Sequence, residues 1–284
     1  MTETDVPTPT EPALAELELL RQRLVTFGQT RGLLGKSFFA EVVHCWAQFA
    51  EIPHALIDAD RVNRTLSSRY PNHAISLPAL DNDHQFARML DALPAEAPLV
   101  VLDVPAQSAS YLVEAVHRLD LLEVWKKQGT RLTIVLFVVN DVMAIKTADV
   151  AHKNFGDAVD YLLVENPVDK PEWEKFYRSP VGQRLLEEQT PVVRMPTLTT
   201  ATLTAWGAAQ AKAKRHLGLA EAIEAPGLTG YNRHELRHFC NTMYYQLEGV
   251  ASRLLPDPSL IKNRTAAPKA TRALAEPAEF FDVV

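Results

Sequence analysis

Apolar residues along this chain fall into short unbroken runs rather than an alternating pattern. Leu24 to Phe27, His54 to Asp60, Pro98 to Asp103, Arg131 to Val139, Val159 to Val164 and Pro191 to Met195 each read as a strand. Such runs suit strands covered on both faces, because a strand with one wet face would alternate apolar with polar residues. Between them lie segments with helical spacing: Phe38, Val42, Trp46 and Phe49, then His84 to Leu93, Tyr111 to Trp125 and Trp173 to Glu188. Strands alternating with helices predict an α/β fold with a mainly parallel sheet, whose ligands bind at the carboxyl ends of the strands. Leu198 to Leu217 and Asn232 to Leu255 predict further helices beyond the last strand. Ala13 to Arg23 predicts a short helix before the first one. Met1 to Pro12, rich in Pro, Thr and acids, reads as a disordered arm. Pro256 to Val284 reads as a flexible tail with a candidate docking segment at Glu279-Phe280-Phe281-Asp282.

Composition narrows the class. The chain has 284 residues, enough for one large domain, with 47% hydrophobic and 23% charged residues, the balance of an ordinary globular protein. A net charge of −6 argues against a wholly basic surface that coats nucleic acid, while leaving room for a local patch. Cys45 and Cys240 are too few for a disulfide framework, which fits a reducing cytoplasm. The amino terminus lacks the apolar core of a signal peptide, and the longest apolar run is too short to span a bilayer. The expectation is a cytoplasmic protein without a membrane anchor.

Candidate chemistry begins where the first strand ends. Thr30-Arg31-Gly32-Leu33-Leu34-Gly35-Lys36-Ser37 lies between that strand and the first helical segment. Strand, glycine loop, then Gly-Lys-Ser at a helix start is the layout of a phosphate-binding loop. Small residues let backbone N–H groups curl around an anion, and the helix start adds its positive dipole end. Lys36 would reach the β- and γ-phosphates and Ser37 would ligate Mg²⁺. The regular pattern asks for glycine where Thr30 stands, so an ordinary strand-to-helix turn is the competing reading. Two later strands also end in carboxylates: the second at Asp58-Ala59-Asp60, the third at Asp103-Val104-Pro105. Taken alone, these are a polar strand end and a turn-forming Asp; Asn166 before Pro167 is, likewise, a plain turn signal.

Together these residues resemble the ParA/MinD group of deviant Walker-A ATPases, over roughly residues 22 to 220. Family loops read K-G-G-V-G-K-[ST], against Arg31 to Ser37 here; family strands end in Asp-x-Asp and Asp-x-Pro, matched by Asp58-Ala59-Asp60 and Asp103-Val104-Pro105. Ile57 to Asn63, and Glu165-Asn166-Pro167 followed by Glu172 to Phe176, look most like the plasmid mobilisation branch of TraL-type conjugative-transfer proteins. The resemblance implies a three-layer P-loop NTPase domain over 13–220, a helical extension over 221–255 and a tail over 256–284. It implies ATP and Mg²⁺ as cofactors. Phosphates would lie on Lys36 and the backbone of Gly32, Leu33, Leu34, Gly35 and Ser37; Ser37 and Asp103 would hold Mg²⁺. Asp60 would act on the attacking water with Asp58 in support, and Asn166 would lie near the base. It also implies a nucleotide-dependent homodimer, a protein partner of relaxosome or partition type, and DNA as a further candidate partner. The basic amphipathic membrane helix of MinD-like members has no counterpart, because the carboxyl end is acidic and aromatic.

Two departures bear on catalysis. The signature lysine, which contacts phosphate across a nucleotide-sandwiched dimer, is Arg31 here. Guanidinium grips phosphate too, but the two are not interchangeable where geometry is tight. The second loop glycine is Leu33, whose β-carbon restricts the backbone. Binding is thus better supported than hydrolysis, and an adaptor with little turnover is the alternative. A zinc hydrolase is a third class, since His234-Glu235-Leu236-Arg237-His238 is formally H-E-x-x-H, with two histidines one helical turn apart. No suitably spaced third ligand follows it. Lys212-Ala213-Lys214-Arg215-His216 is a basic run at a helix end, explained by the helix dipole or by DNA contact.

Overall fold

A computed structural model describes residues 20–60, 63–77, 82–91, 93–167 and 173–266. The arm at 1–12, most of the helix expected before the first strand, and the segment Glu279 to Asp282 lie outside them. Gln22 and Arg23, expected in that helix, belong instead to the first strand.

In chain order, β1 (Gln22–Phe27), α1 (Lys36–Phe49), β2 (His54–Asp58), α2 (Thr65–Arg69), β3 (Ala74–Ser76) and α3 (Asp83–Asp91) form the first half. Then come β4 (Leu99–Asp103), α4 (Ala109–Arg118), α5 (Leu121–Lys127), β5 (Thr130–Val138), α6 (Val142–Phe155) and β6 (Asp160–Glu165). After these follow α7 (Glu174–Tyr177), α8 (Pro180–Glu187), β7 (Val192–Arg194), α9 (Thr200–Ala213), α10 (Leu219–Glu224), α11 (Gly230–Gly249) and α12 (Ala251–Leu254). The strands build one seven-stranded sheet in the order β3-β2-β4-β1-β5-β6-β7. Every pairing is parallel. Leu24 of β1 lies opposite Val100 of β4 on one side and Leu132 of β5 on the other.

The sheet is covered on both faces, which is why its central strands need unbroken apolar runs. Along β5, Val135 and Phe137 enter the core layer with α1, while Ile134, Leu136 and Val138 enter the opposite layer. The first layer joins Phe39, Val43 and Trp46 of α1 to Leu236, Phe239, Met243 and Leu247 of α11. The second joins Phe86, Val113, Val116, Ala148 and Leu185 from α3, α4, α6 and α8. Three layers result, helix–sheet–helix. The helices after β7 fill the same core layer as α1.

Several boundaries differ from the sequence expectation for local reasons. The single helix expected over Tyr111 to Trp125 breaks at Asp120, which takes a left-handed φ of 50°. The one expected over Trp173 to Glu188 breaks where Ser179 caps a new helix that has Pro180 in its first turn, an arrangement that suits proline. β3 has three residues and a half-exposed face at the sheet edge, so no apolar run announced it. Residues 256–266, expected to begin a flexible tail, lie against the body: Ile261 is buried, Lys262 N–H donates to the Ala50 carbonyl, and Thr265 N–H donates to Glu248 Oε1 at 2.6 Å.

Candidate functional site

The strand order puts β1 between β4 and β5. From β1 the chain turns to the α1 layer, whereas from β4 and β5 it turns to the opposite layer. Divergent exits of this kind open a crevice at the carboxyl ends of the strands, where ligands of open α/β sheets bind. The loop 28–35 spans that crevice, with Asp58 and Asp103 side by side at the ends of β2 and β4.

The loop is fixed from beneath by a residue that the sequence did not single out. Gln29 is fully buried; its Nε2 donates to the carbonyls of Phe137 (2.9 Å) and Ala144 (3.3 Å), and its Oε1 accepts from Phe137 N–H at 2.6 Å. A buried glutamine beside a glycine loop has no periodic signature. Leu33 takes a φ of 60° and is 99% exposed. The loop thus keeps a conformation natural to glycine with leucine in place, at a cost of about 1 kcal/mol. Gly35 sits at φ 92° as the N-cap of α1. A Cβ there would lie 2.6 Å from Asn166 Nδ2, so this position excludes side chains on two grounds. Asn166 itself donates to the Leu34 carbonyl at 2.9 Å, which sets its amide against the loop.

α1 begins at Lys36 with no side-chain cap and no acidic residue in its first turn. Its amino end therefore offers N–H donors and a positive dipole end. Lys36 is buried and donates to the Arg31 carbonyl at 2.6 Å. Burial lowers its ammonium to about 8, against the opposing pull of Asp103 and then Asp60. Asp103 is buried among these groups, and burial raises its carboxyl to about 7; a hydrogen bond from Ser37 and the charge of Lys36 oppose the rise, while Asp58 and Asp60 add to it. Its Oδ2 is buried without a hydrogen-bond partner. A buried carboxylate oxygen left unpaired is costly. Beside Ser37 and Lys36 it forms an oxygen-donor pair with cationic and N–H groups next to it, a donor set that suits a hard cation bound with a phosphate.

The other acids are held. Asp58 accepts Asp60 N–H at 3.0 Å and Ser67 N–H at 2.8 Å, which pins the chain leaving β2. Asp60 accepts Asn63 N–H at 3.0 Å and Asn63 Nδ2 at 2.9 Å. Arg31, 59% exposed at its side chain, pairs with Asp141 at 3.5 Å, and Asp141 also caps α6 through Ala144 N–H. Lys36, Ser37, Asp103 and Asn166 thus meet at the loop with Gly32 to Gly35, while Asp58 and Asp60 brace the neighbouring segment.

The zinc pattern does not come together. His234 and His238 are exposed. Glu235 accepts from Thr199 N–H (2.9 Å), from the Thr199 hydroxyl (2.8 Å) and from the Thr202 hydroxyl, so it caps α9. Among the described residues no group of three or more His, Cys, Asp or Glu is placed to hold a metal ion. In the basic run, Arg215 is engaged by Glu221 at 2.8 and 3.0 Å. No described helix is long and apolar enough to cross a membrane. No protein-family model matches the chain, and no curated protein matches it.

Proposed function

We propose that the chain binds ATP with Mg²⁺ on the loop 30–37 and works as a slow switch ATPase of ParA/MinD type. Its setting would be plasmid or DNA transfer, partition or intracellular positioning in the cytoplasm. The observation that carries the reading is the orphaned Asp103 Oδ2, buried beside Ser37 and Lys36 at the open amino end of α1. An inert turn would offer no physical reason for a buried, unpaired carboxylate oxygen next to a buried lysine.

On this reading the backbone N–H groups of Gly32 to Ser37 and the Lys36 ammonium hold the phosphates, and Ser37 and Asp103 hold the cation. Bound there, Mg²⁺ would neutralise charge on the phosphate oxygens. Lys36 would exchange its bond to the Arg31 carbonyl for one to phosphate, which opens the loop mouth. Asp60, with its oxygens fixed by Asn63, orients a water, and Asp58 keeps that segment in register. Phosphoryl transfer needs mostly positioning and charge neutralisation, which are what this list would supply. The chain would pair with a second copy when nucleotide is bound.

A second reading, a nucleotide-binding adaptor with little turnover, is favoured by Arg31. In the place of the family's signature lysine, it pairs within its own chain with Asp141. Calorimetry with Mg²⁺ and ATP, compared between wild type and Lys36→Ala, tests both, with phosphate release measured on the same samples. Binding lost in the variant supports the site, and phosphate release then separates ATPase from adaptor. No binding in wild type removes both readings.

A further inference from the structure

Glu41 lies on α1, one turn beyond the phosphate-loop residues, and is fully buried. Nothing in the proposed chemistry uses it. Its carboxylate collects donors from two other elements. The Arg69 guanidinium at the end of α2 bonds Oε2, and the Tyr70 hydroxyl donates to Oε1 at 2.9 Å. Leu219 N–H, at the start of α10, donates to the same Oε1 at 2.6 Å and lies 3.1 Å from the Tyr70 oxygen. Arg69 also sits over the Trp206 ring of α9, 5.7 Å from its centroid. One buried charge therefore ties α1, α2 and the helices after β7.

α2 is at the same time the arm of the site's acidic edge. Ser67 N–H bonds Asp58 Oδ2, and Arg64 N–H bonds the Asp60 carbonyl at 2.9 Å. α2 has five residues and no side-chain cap, and it starts from a left-handed Arg64 at φ 46°, so little of its stability is its own. Besides the buried Leu66, its position is set by what holds its two ends: Asp58 and Asp60 at one, Glu41 at the other. Drawing α2 or α10 away from Glu41 would leave a buried carboxylate short of donors, which is strongly unfavourable in comparable pairs.

We infer that Glu41 couples the Asp58–Asp60 segment to α10, so that the state of the nucleotide site and the seating of α10 bias one another. The nucleotide half of this statement rests on the function proposed above; the mechanical link does not. Coupling of this kind is reciprocal: whatever favours one seating of α10 shifts affinity at the loop, and ligand at the loop shifts α10 by the same factor.

Amide hydrogen exchange on the full chain tests the link from each end without nucleotide. Arg69→Gln alters α2 and is read at the Leu219 amide. Gly218→Ala forces the start of α10 away from Tyr70 at the end of α2, and is read at the Ser67 amide. Gly218 has φ −65° and ψ 164°, which alanine adopts freely, but its new Cβ would lie 2.4 Å from the Tyr70 oxygen. Each variant should speed exchange at the distant amide by about tenfold or more, while Val101 in β4 keeps its protection. If Arg69→Gln fails to fold, Gly218→Ala, which keeps every charged group of the cluster, decides. Protection of Ser67 left unchanged by Gly218→Ala in a folded chain overturns the inference. Mg²⁺ and ATP added to wild type should slow exchange at Ser67 and Leu219 together. Calorimetric binding with a response at Ser67 and none at Leu219 overturns the inference and leaves the proposed function standing. Absence of calorimetric binding removes the proposed function, while the nucleotide-free arms still decide the link.

Discussion

At the scale of single residues, Asp103 carries the cost that the proposed binding site would impose on the free protein. Its carboxyl is held at about 7, against 3.8 for the ordinary group. A raised acid favours the fold while protonated, so that stability is full below the unfolded value and is lost as the pH rises from about 4 to 7. Asp103→Asn should therefore stabilise the nucleotide-free chain at pH 8 by about 2–4 kcal/mol and, in the same molecule, abolish Mg²⁺-dependent ATP binding. Denaturant melts and calorimetry read the two effects; a destabilised Asn variant would show that the carboxylate is satisfied in solution. His44 carries the opposite sign. Burial first, and then His54 and His73, lower its imidazole to about 3. Its Nδ1 lies 2.8 Å from His54 Nε2. A neutral buried histidine must charge on unfolding in acid, so stability is present above the unfolded value of 6.5 and declines as the pH falls towards 3. The loss should reach about 2 kcal/mol between pH 7 and pH 5. His44→Phe should flatten that decline in acid melts, and an unchanged slope would place its origin elsewhere.

At the scale of elements, the sheet's two ends do different work. The carboxyl ends of the strands hold the loop and its acids, and the amino ends hold a charge cluster that locks α12. Asp160 at the start of β6 is bonded by Arg23 of β1, by Arg131 of β5 at 2.7 Å and by Arg253 of α12. Arg23 also donates to the Ser252 carbonyl at 2.8 Å. Burial pushes the Asp160 carboxyl up, but Arg131 and Arg23 outweigh it and hold it below the usual range. Its contribution is present above the unfolded value of 3.8 and is lost as the pH falls through the lower folded one. Asp160→Asn should cost about 3–5 kcal/mol, because it strands buried guanidinium charge. Thermal melts should show that loss, with no effect on the nucleotide binding proposed for the far end of the sheet. The six apolar runs were legible because a two-faced sheet demands them, and the loop motif because backbone geometry demands small residues there. Strand order was not legible, since β1 meets β4 and β5 across some 75 and 108 residues of chain, as the bonds of Gln22 to Ala97 and Thr130 show. Gln29, Glu41 and Asp160 also escaped notice. A buried polar residue reveals its role only through partners brought to it by the fold, and α6, whose apolar face is mostly alanine, gives little periodic contrast.

For the whole molecule, the two core layers make the site's occupancy a property of global stability. β1 and α1 carry the loop, and both belong to the central packing, with Val25, Phe27, Phe39 and Trp46 buried in one layer. A ligand that binds the folded loop and not the unfolded chain must then raise the apparent stability of the entire chain. At a free ATP concentration about a hundred times its Kd, with Mg²⁺ present, the gain is about 2.7 kcal/mol. For a domain of this size that corresponds to a rise in Tm of roughly 5–10 °C. Lys36→Ala should melt near the nucleotide-free wild type and show no rise. A rise that persists in the variant would put the nucleotide somewhere other than the loop, and no rise in wild type at millimolar ATP would leave the loop without its proposed ligand. Protein concentration adds a second axis. If nucleotide also joins two copies, the Tm with ATP should climb with chain concentration, because association of folded molecules stabilises by mass action, whereas the nucleotide-free Tm should not. A concentration-independent shift with ATP would support the loop site and favour a monomeric adaptor over a dimeric switch.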